Sequence, residues 1–128
     1  MDEVVKYWLE TAAHDYETME ALLKTARYSD ALFFGHIILE KAFKALIVKR
    51  TKEHAPYVHN LLQLQAISGI PLNEDDLNLL VEVNDFNIRA RYPEQKLAFY
   101  KQATEEFTGG YMTRITNLYK KLCQTVKS

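Results

Sequence analysis

The chain has 128 residues, of which 48% are hydrophobic and 26% are charged, and its formal net charge is −1. This length and composition predict one globular domain over residues 1–128 and exclude a disordered chain. The near-zero charge excludes a protein that binds nucleic acid through bulk electrostatics, so an RNA or nucleotide contact must come from a local patch. The small number of glycines and prolines argues against an all-β domain, which needs many turns.

The sequence predicts neither a signal peptide at its start nor a membrane span. The start, Met1-Asp2-Glu3, lacks the basic residues and apolar run of a signal peptide. No segment reaches the roughly 18 consecutive apolar residues of a membrane span. Cys123 is the single cysteine and lies in a helical apolar pattern, which favours a small core residue over a reactive thiol. The predicted location is the cytoplasm, without membrane association.

Apolar residues at steps of three and four predict an amphipathic first helix over 2–26. Ser29 or Asp30 is expected to cap the second helix, 30–51. This second helix is apolar around nearly its whole circumference, which is typical of a central helix or of one covered by a partner subunit. Gly35 within it costs about 1 kcal/mol relative to alanine and indicates close approach by a neighbouring backbone.

The second half of the chain continues the helical pattern. Gly109 and Gly110 are expected to weaken the first turn of the last helix, and the segment from Arg89 to Glu94 interrupts the pattern. The predicted elements are a short third helix over 59–68, a fourth helix over 74–88, a short helical turn over 94–102 and a long last helix over 104–126. The fold class is therefore all-α, an up-and-down bundle of about five helices.

Several segments occur in an order that is informative as a set. A Trp- and Tyr-containing amphipathic helix precedes FFGHIILEKAFKAL at 33–46, VHNL at 58–61, NIRARYP at 87–93 and ATEEF at 103–107. In this order they resemble the HEPN family over nearly the entire chain. The resemblance implies a small helical bundle, commonly a homodimer and often encoded beside a minimal nucleotidyltransferase. It also implies a role in RNA cleavage, nucleotide binding or toxin–antitoxin pairing.

The ribonucleases of that family resemble one another in a motif of Arg, four to six residues, then His, in which Arg holds phosphate and His transfers protons. No arginine of this chain has a histidine at that spacing, and all the histidines precede Arg89. The predicted function is therefore a non-catalytic HEPN interaction module that pairs with a nucleotidyltransferase. The alternative is a metal-independent ribonuclease toxin with a divergent active site, using Arg89 or Arg91 with His59.

Arg89, Arg91 and Tyr92 form the cluster with the clearest ligand chemistry. Two guanidinium groups and an aromatic ring at a helix end can hold a phosphate and stack a base. The alternative is a structural turn, in which Pro93 stops the helix, Arg91 pairs with a carboxylate such as Asp85, and Tyr92 packs.

Three further residues are candidates for a nucleotide or RNA site. Asn84 and Asn87 lie one helical turn apart and can hydrogen-bond either a ligand or the backbone. His59 at the head of the third helix either caps it or binds an anion. The histidines lack metal-ligand spacing, and the paired Glu-x-x-His motifs of a two-metal bundle are missing. No metal or cofactor is predicted.

His36, Glu40 and Lys44 follow each other at four-residue spacing and form a polar ridge on the second helix. The ridge either balances charge along one exposed face or orients a homodimer. The candidate dimer-interface residues are Phe33, Phe34, His36, Ile37, Glu40 and Lys44. A group of cations at the end of this helix complements its dipole, with a phosphate-binding surface as the alternative. The group comprises Lys41, Lys44, Lys49, Arg50 and Lys52.

Overall fold

The computed structural model describes all 128 residues, which form six α-helices and no strand. The helices are α1 (Asp2–Lys24), α2 (Tyr28–Thr51), α3 (Leu61–Ser68), α4 (Glu74–Arg91), α5 (Pro93–Gln102) and α6 (Glu105–Lys127). The prediction of an all-α helical bundle is confirmed. The helical turn expected near 94–102 is a separate ten-residue helix, so the bundle has six helices rather than about five.

Helix α2 is the centre of the bundle and packs against each of the other five helices. Its apolar circumference is explained by this position, because α1 and α6 cover two of its sides while α3 and α4 cover others. Phe43, near its middle, is fully buried. Burying such a side chain stabilises the fold by about 2 to 3 kcal/mol. No helix in the chain is both long and apolar enough to span a membrane.

The connection between α1 and α2 has the predicted length of three residues but lies two residues earlier in the chain. The capping prediction for Ser29 or Asp30 is wrong, because α2 already begins at Tyr28 after Arg27 and both residues lie in its first turn. Ala26 adopts a left-handed backbone with φ of 60°, which reverses the chain within three residues. Asp30 instead places its negative charge in the first turn, where it complements the helix dipole.

At Gly35, helix α2 is in close contact with side chains of α6. A Cβ atom at this position would lie 2.9 Å from Ile115 Cδ1 and 3.6 Å from Met112 Cε. The prediction that a neighbouring backbone approaches Gly35 is therefore wrong in its detail, because side chains of α6 fill the space. Ile115 is fully buried there, and the small residue allows it to reach the surface of α2.

The expected interruption at 89–94 is wrong for its first three residues, because α4 continues through Arg91. Arginine favours helices, and its charge is favourable at a helix C-terminus. The interruption is a single residue, Tyr92, which is extended because Pro93 follows it. Pro93 then opens α5 at a position where it needs no backbone N–H.

The last helix is regular across its two glycines. Thr104 caps α6 by accepting a hydrogen bond from the Phe107 backbone N–H at 3.3 Å. Gly109 and Gly110 are exposed and helical, so α6 is continuous through the region where its first turn was expected to be weak. Cys123 packs against the core, and burial raises the pKa of its thiol. A protonated, half-buried thiol fits the interpretation of Cys123 as a core residue.

Candidate functional site

The polar ridge of α2 lies inside the molecule. His36 and Lys44 are buried, and the Glu40 side chain is only 13% exposed. The interpretation of the ridge as an exposed face with balanced charges is therefore wrong. Burial of charged groups is unfavourable unless they are paired, so these side chains must find partners within the fold.

Glu40 supplies those partnerships. Its carboxylate accepts a hydrogen bond from Lys44 Nζ at 3.0 Å and from His59 Nδ1 at 3.0 and 3.1 Å. The Lys44 ammonium also lies 5.3 Å from the centre of the Trp8 ring, where the electron-rich face favours a cation. Glu40 thereby joins α2 to the segment that precedes α3.

His36 also holds the segment that precedes α3. Its Nε2 donates a hydrogen bond to the backbone carbonyl of His59 at 2.9 Å, because a carbonyl can only accept. Burial lowers the pKa of His36, and this effect exceeds the opposite influence of the nearby Glu40 carboxylate. His36 is therefore neutral in the folded protein at pH 7.

The burial of neutral His36 predicts a loss of stability in mild acid. Its folded-state pKa lies below the ordinary value of 6.5, so the unfolded chain takes up the proton first as the pH falls. The stabilisation that His36 contributes is therefore present above pH 6.5 and is lost as the pH falls below it. Lowering the pH from about 7.5 to about 5.5 should reduce the free energy of unfolding by up to about 1.4 kcal/mol through this residue.

Urea unfolding of the natural protein and of His36→Gln at both pH values measures this contribution. The other histidines and carboxyl groups are common to both proteins, so only the difference between the two pH dependences is assigned to His36. An equal loss of stability in the two proteins would contradict the assignment.

Two asparagines hold the start of α3. Asn60 is the N-cap, and its side-chain oxygen accepts from the backbone N–H groups of Leu62 and Gln63. Asn84 on α4 accepts from the Leu61 backbone N–H at 2.9 Å and donates to Asn60 Oδ1 at 3.1 Å. Asn84 therefore satisfies the backbone, which is one of its two predicted roles, and positions the residues beside it.

His59 lies outside α3, two residues before its first residue Leu61, so its prediction as the head of that helix is wrong. Asn60 is the capping residue instead. The His59 side chain is 62% exposed, and its Nδ1 carries the proton that is donated to Glu40. With Nδ1 donating to Glu40, the remaining nitrogen Nε2 is an acceptor in the neutral ring and a second donor in the imidazolium.

Residues from two parts of the chain meet in one surface cleft beside His59. The cleft has a volume of about 200 Å³ and is lined by His59, Asn60, Asn84, Asn87 and Ile88. Three of the six predicted ligand residues are thus brought together. Arg91 is exposed and lies four residues after Asn87, hence on the same face of α4. We call this set of residues with Arg91 the His59 cleft.

Arg89 belongs to a different surface. It lies 4.0 Å from Asp85 Oδ2, and its guanidinium is 5.0 Å from the centre of the Phe99 ring. The predicted pairing of Arg91 with Asp85 is therefore wrong, because the residue four positions from Asp85 is Arg89. Arg91 makes no ion pair within the chain. Tyr92 is 51% exposed at the junction of α4 and α5.

The cations of α2 hold other parts of the fold in place. Lys41 pairs with Asp15 on α1 at 2.6 Å, and Arg50 donates to the Ser68 carbonyl at 2.7 Å. Lys49 donates to the carbonyls of Val126 and Ser128 at the end of α6. With Lys44 bound to Glu40, Lys52 is the member of the group without such a partner. These contacts explain the cations more directly than a phosphate-binding surface does.

The six helices form an all-α bundle, and the His59 cleft lies between the start of its third helix and its fourth helix. The model of the HEPN domain matches residues 5–127, and the chain belongs to the HEPN family. The predicted resemblance is confirmed. A comparison with curated proteins finds no match. Among solved structures, the chain is similar to the crystal structure of TT1696 from Thermus thermophilus, with 22% identity and a TM-score of 0.72. The alignment covers 96% of this chain and 95% of that one, and it supports the fold alone.

Proposed function

We propose that the chain is a non-catalytic HEPN binding module that takes a phosphate-bearing ligand, a nucleotide or RNA, in the His59 cleft. As part of the same proposal, it acts as a cytoplasmic homodimer that pairs with a minimal nucleotidyltransferase. The observation that carries the proposal is the convergence of His59, Asn84 and Asn87 in one cleft, on the face of α4 that also carries Arg91.

The chemistry of the cleft suits a phosphate. Arg91 is exposed and unpaired, and a guanidinium can bind two phosphate oxygens at once. The side-chain amide of Asn87, which lines the cleft, makes no hydrogen bond within the chain and is therefore available to a ligand. The exposed ring of Tyr92 lies next along the chain and can stack a base.

The size of the cleft limits what it can hold. Its volume of about 200 Å³ is below the roughly 300 to 1,000 Å³ of ordinary small-molecule pockets. A phosphate with its sugar therefore fits the cleft better than a whole nucleotide. The base would lie on the outer surface, towards Tyr92, which favours binding without enclosure.

Titration calorimetry with ATP tests the binding. Arg91→Met removes a charge-assisted contact worth about 1.5 to 3 kcal/mol, so the affinity should fall by about tenfold or more. Arg89→Met is the matched control, because it removes the same charge two residues away and retains an apolar chain over Phe99. Its affinity should stay within about twofold. Equal losses in the two variants, or no heat from the natural protein at millimolar ATP, would contradict the proposal.

One observation favours the ribonuclease as a second candidate. The bond from His59 Nδ1 to Glu40 orients the ring as a carboxylate orients a catalytic histidine. His59 Nε2 would take the proton of an RNA 2′-hydroxyl, whose oxygen attacks the adjacent phosphorus. The P–O5′ bond breaks, a 2′,3′-cyclic phosphate forms, and solvent protonates the leaving 5′-oxygen. Arg91 would hold the phosphate. Binding ranks first because the cleft offers no second side chain to act as the acid.

Incubation of the purified protein with tRNA and mRNA separates the two candidates. The binding module leaves the RNA intact. Cleavage that His59→Ala and Arg91→Met abolish, and Arg89→Met retains, would establish the enzyme instead. Co-purification with a minimal nucleotidyltransferase from the same genome tests the partner, and failure of the two proteins to associate would remove that part of the proposal.

A further inference from the structure

Helix α5 is weakly attached to its own chain. Of its ten residues only Phe99 is buried, and the helix packs mainly against α4. Helices shorter than about 12 residues are marginal in water unless tertiary contacts stabilise them. One aromatic anchor is little support for a helix of ten residues. A partner that packs on the opposite side of α5 would supply the stabilising contacts that the chain itself does not provide.

That opposite side is apolar. Pro93, Leu97 and Tyr100 follow each other at steps of four and three residues and so form one stripe along α5. Leu97 is 62% exposed and Tyr100 is 64% exposed. With Lys96 these residues line a shallow hollow of about 500 Å³. Exposed apolar residues grouped in this way mark interaction surfaces rather than ordinary solvent-facing helices.

We infer that the stripe is covered by the α5 helix of a second copy of this chain, antiparallel about a twofold axis. The inference rests on the homodimer of the proposed function but not on its ligand. The argument is the charge pattern beside the stripe. Glu94 and Lys101 are two helical turns apart on the same flank, and neither makes an ion pair within the chain.

Twofold symmetry makes the charges of the two α5 helices complementary. When two α5 helices run antiparallel with the axis between Leu97 and Ala98, Glu94 of each copy lies opposite Lys101 of the other. The same operation places the apolar stripes in contact, and the small Ala98 side chain near the axis permits close approach. A partner surface with only one sign of charge would attract either Glu94 or Lys101 and repel the other, whereas a second copy of the chain attracts both.

This surface differs from the dimer interface predicted on α2. Of the six residues proposed there, His36 and Lys44 are buried by the chain itself, and Glu40 is mostly buried. Phe33, Phe34 and Ile37 are half-buried and remain candidates for contact with another molecule. The apolar residues of α5 are more exposed and lie beside unpaired charges of both signs, so we assign the contact to α5.

Sedimentation equilibrium with charge-reversal variants tests this arrangement. Glu94→Lys places like charges opposite each other twice and should weaken dimerisation by about tenfold or more, as should Lys101→Glu. The double variant Glu94→Lys/Lys101→Glu restores both pairs in reverse and should recover the dimer. Glu20→Lys, the same change at an exposed position of α1, is the control and should dimerise like the natural protein. Circular dichroism confirms that each variant is folded.

The possible failures are distinguishable. A natural protein that sediments only as a monomer at micromolar concentration would overturn both the homodimer of the proposed function and this inference. A natural dimer that neither single reversal weakens would overturn the α5 contact alone and leave the surface at Phe33, Phe34 and Ile37. Weakening by the single variants without recovery in the double variant would also overturn the antiparallel pairing.

Discussion

Glu40→Gln is expected to lower the free energy of unfolding by about 3 kcal/mol, because it leaves the buried Lys44 ammonium without a counter-ion. The Glu40 and Lys44 side chains are 13% and 6% exposed, so water cannot replace the lost interaction. The substitution keeps the shape of the side chain, and the effect therefore reports the charge rather than a cavity. Urea unfolding at neutral pH measures it.

A double-mutant cycle with Lys44→Met provides the control. Removing both charges leaves no unpaired buried ion, and a buried ion pair can often be replaced by apolar groups at little cost. Glu40→Gln/Lys44→Met should therefore be more stable than Glu40→Gln alone. If the double variant is equally or more unstable, the cost of the single substitution comes from the lost contact with His59.

Phe99→Ala should release α5 while the rest of the bundle stays folded. Phe99 is fully buried, stacks against Phe86 with ring centres 5.4 Å apart and lies beneath the Arg89 guanidinium. Removing a buried phenylalanine ring costs about 3 to 5 kcal/mol, which exceeds what the rest of a short exposed helix supplies. The backbone amides of α5 should then exchange hydrogen as in an unfolded peptide.

Hydrogen exchange measured by mass spectrometry checks this prediction, with the amides of α2 as the internal reference. These should remain protected, because local opening of α5 need not expose the central helix. Gln95→Ala, at an exposed position of the same helix, is the matched control and should leave the exchange of α5 unchanged. Equal loss of protection in α2 and α5 would show that the two helices unfold together.

Helical periodicity predicted most of the bundle because the apolar spacing of a helix is a local property of the sequence. The periodicity did not predict the exact helix boundaries where an unusual backbone conformation or a contact distant in sequence sets them. Ala26 adopts a left-handed conformation that its residue type does not signal. The chain reverses there, and α2 begins at Tyr28, two residues before its predicted start. At Tyr92 the proline signal was visible, but it marks a one-residue joint between two helices rather than a broad interruption.

The candidate site was predictable in its residue types but not in its grouping. Four-residue spacing places His36, Glu40 and Lys44 on one face of a helix, yet spacing cannot tell whether another segment covers that face. The contact between Glu40 and His59 joins residues 19 positions apart and depends on how the α2–α3 connection folds back. The capping role of Asn60 did have a local signal, because asparagine precedes the apolar run of α3.

The separation of Arg89 from Arg91 follows from helix geometry once α4 is known to continue through both. Residues two apart on a helix point in different directions, whereas residues three or four apart share a face. Arg91 therefore joins Asn84 and Asn87, and Arg89 joins Asp85. A segment that interrupts a helix carries no such constraint, which is why the sequence predicted Arg89 and Arg91 in one cluster.

The contact at Gly35 also determines where the bundle can change shape. Ile115 enters the recess left by the missing side chain, whereas one turn further along α2 the equivalent position is the fully buried Leu39. Sliding of α6 by a helical turn in that direction would bring Ile115 against the larger residue. We therefore expect the α2–α6 pair to stay fixed, so that adjustment to the proposed ligand or second subunit falls to the lightly anchored α5 and its one-residue joint with α4.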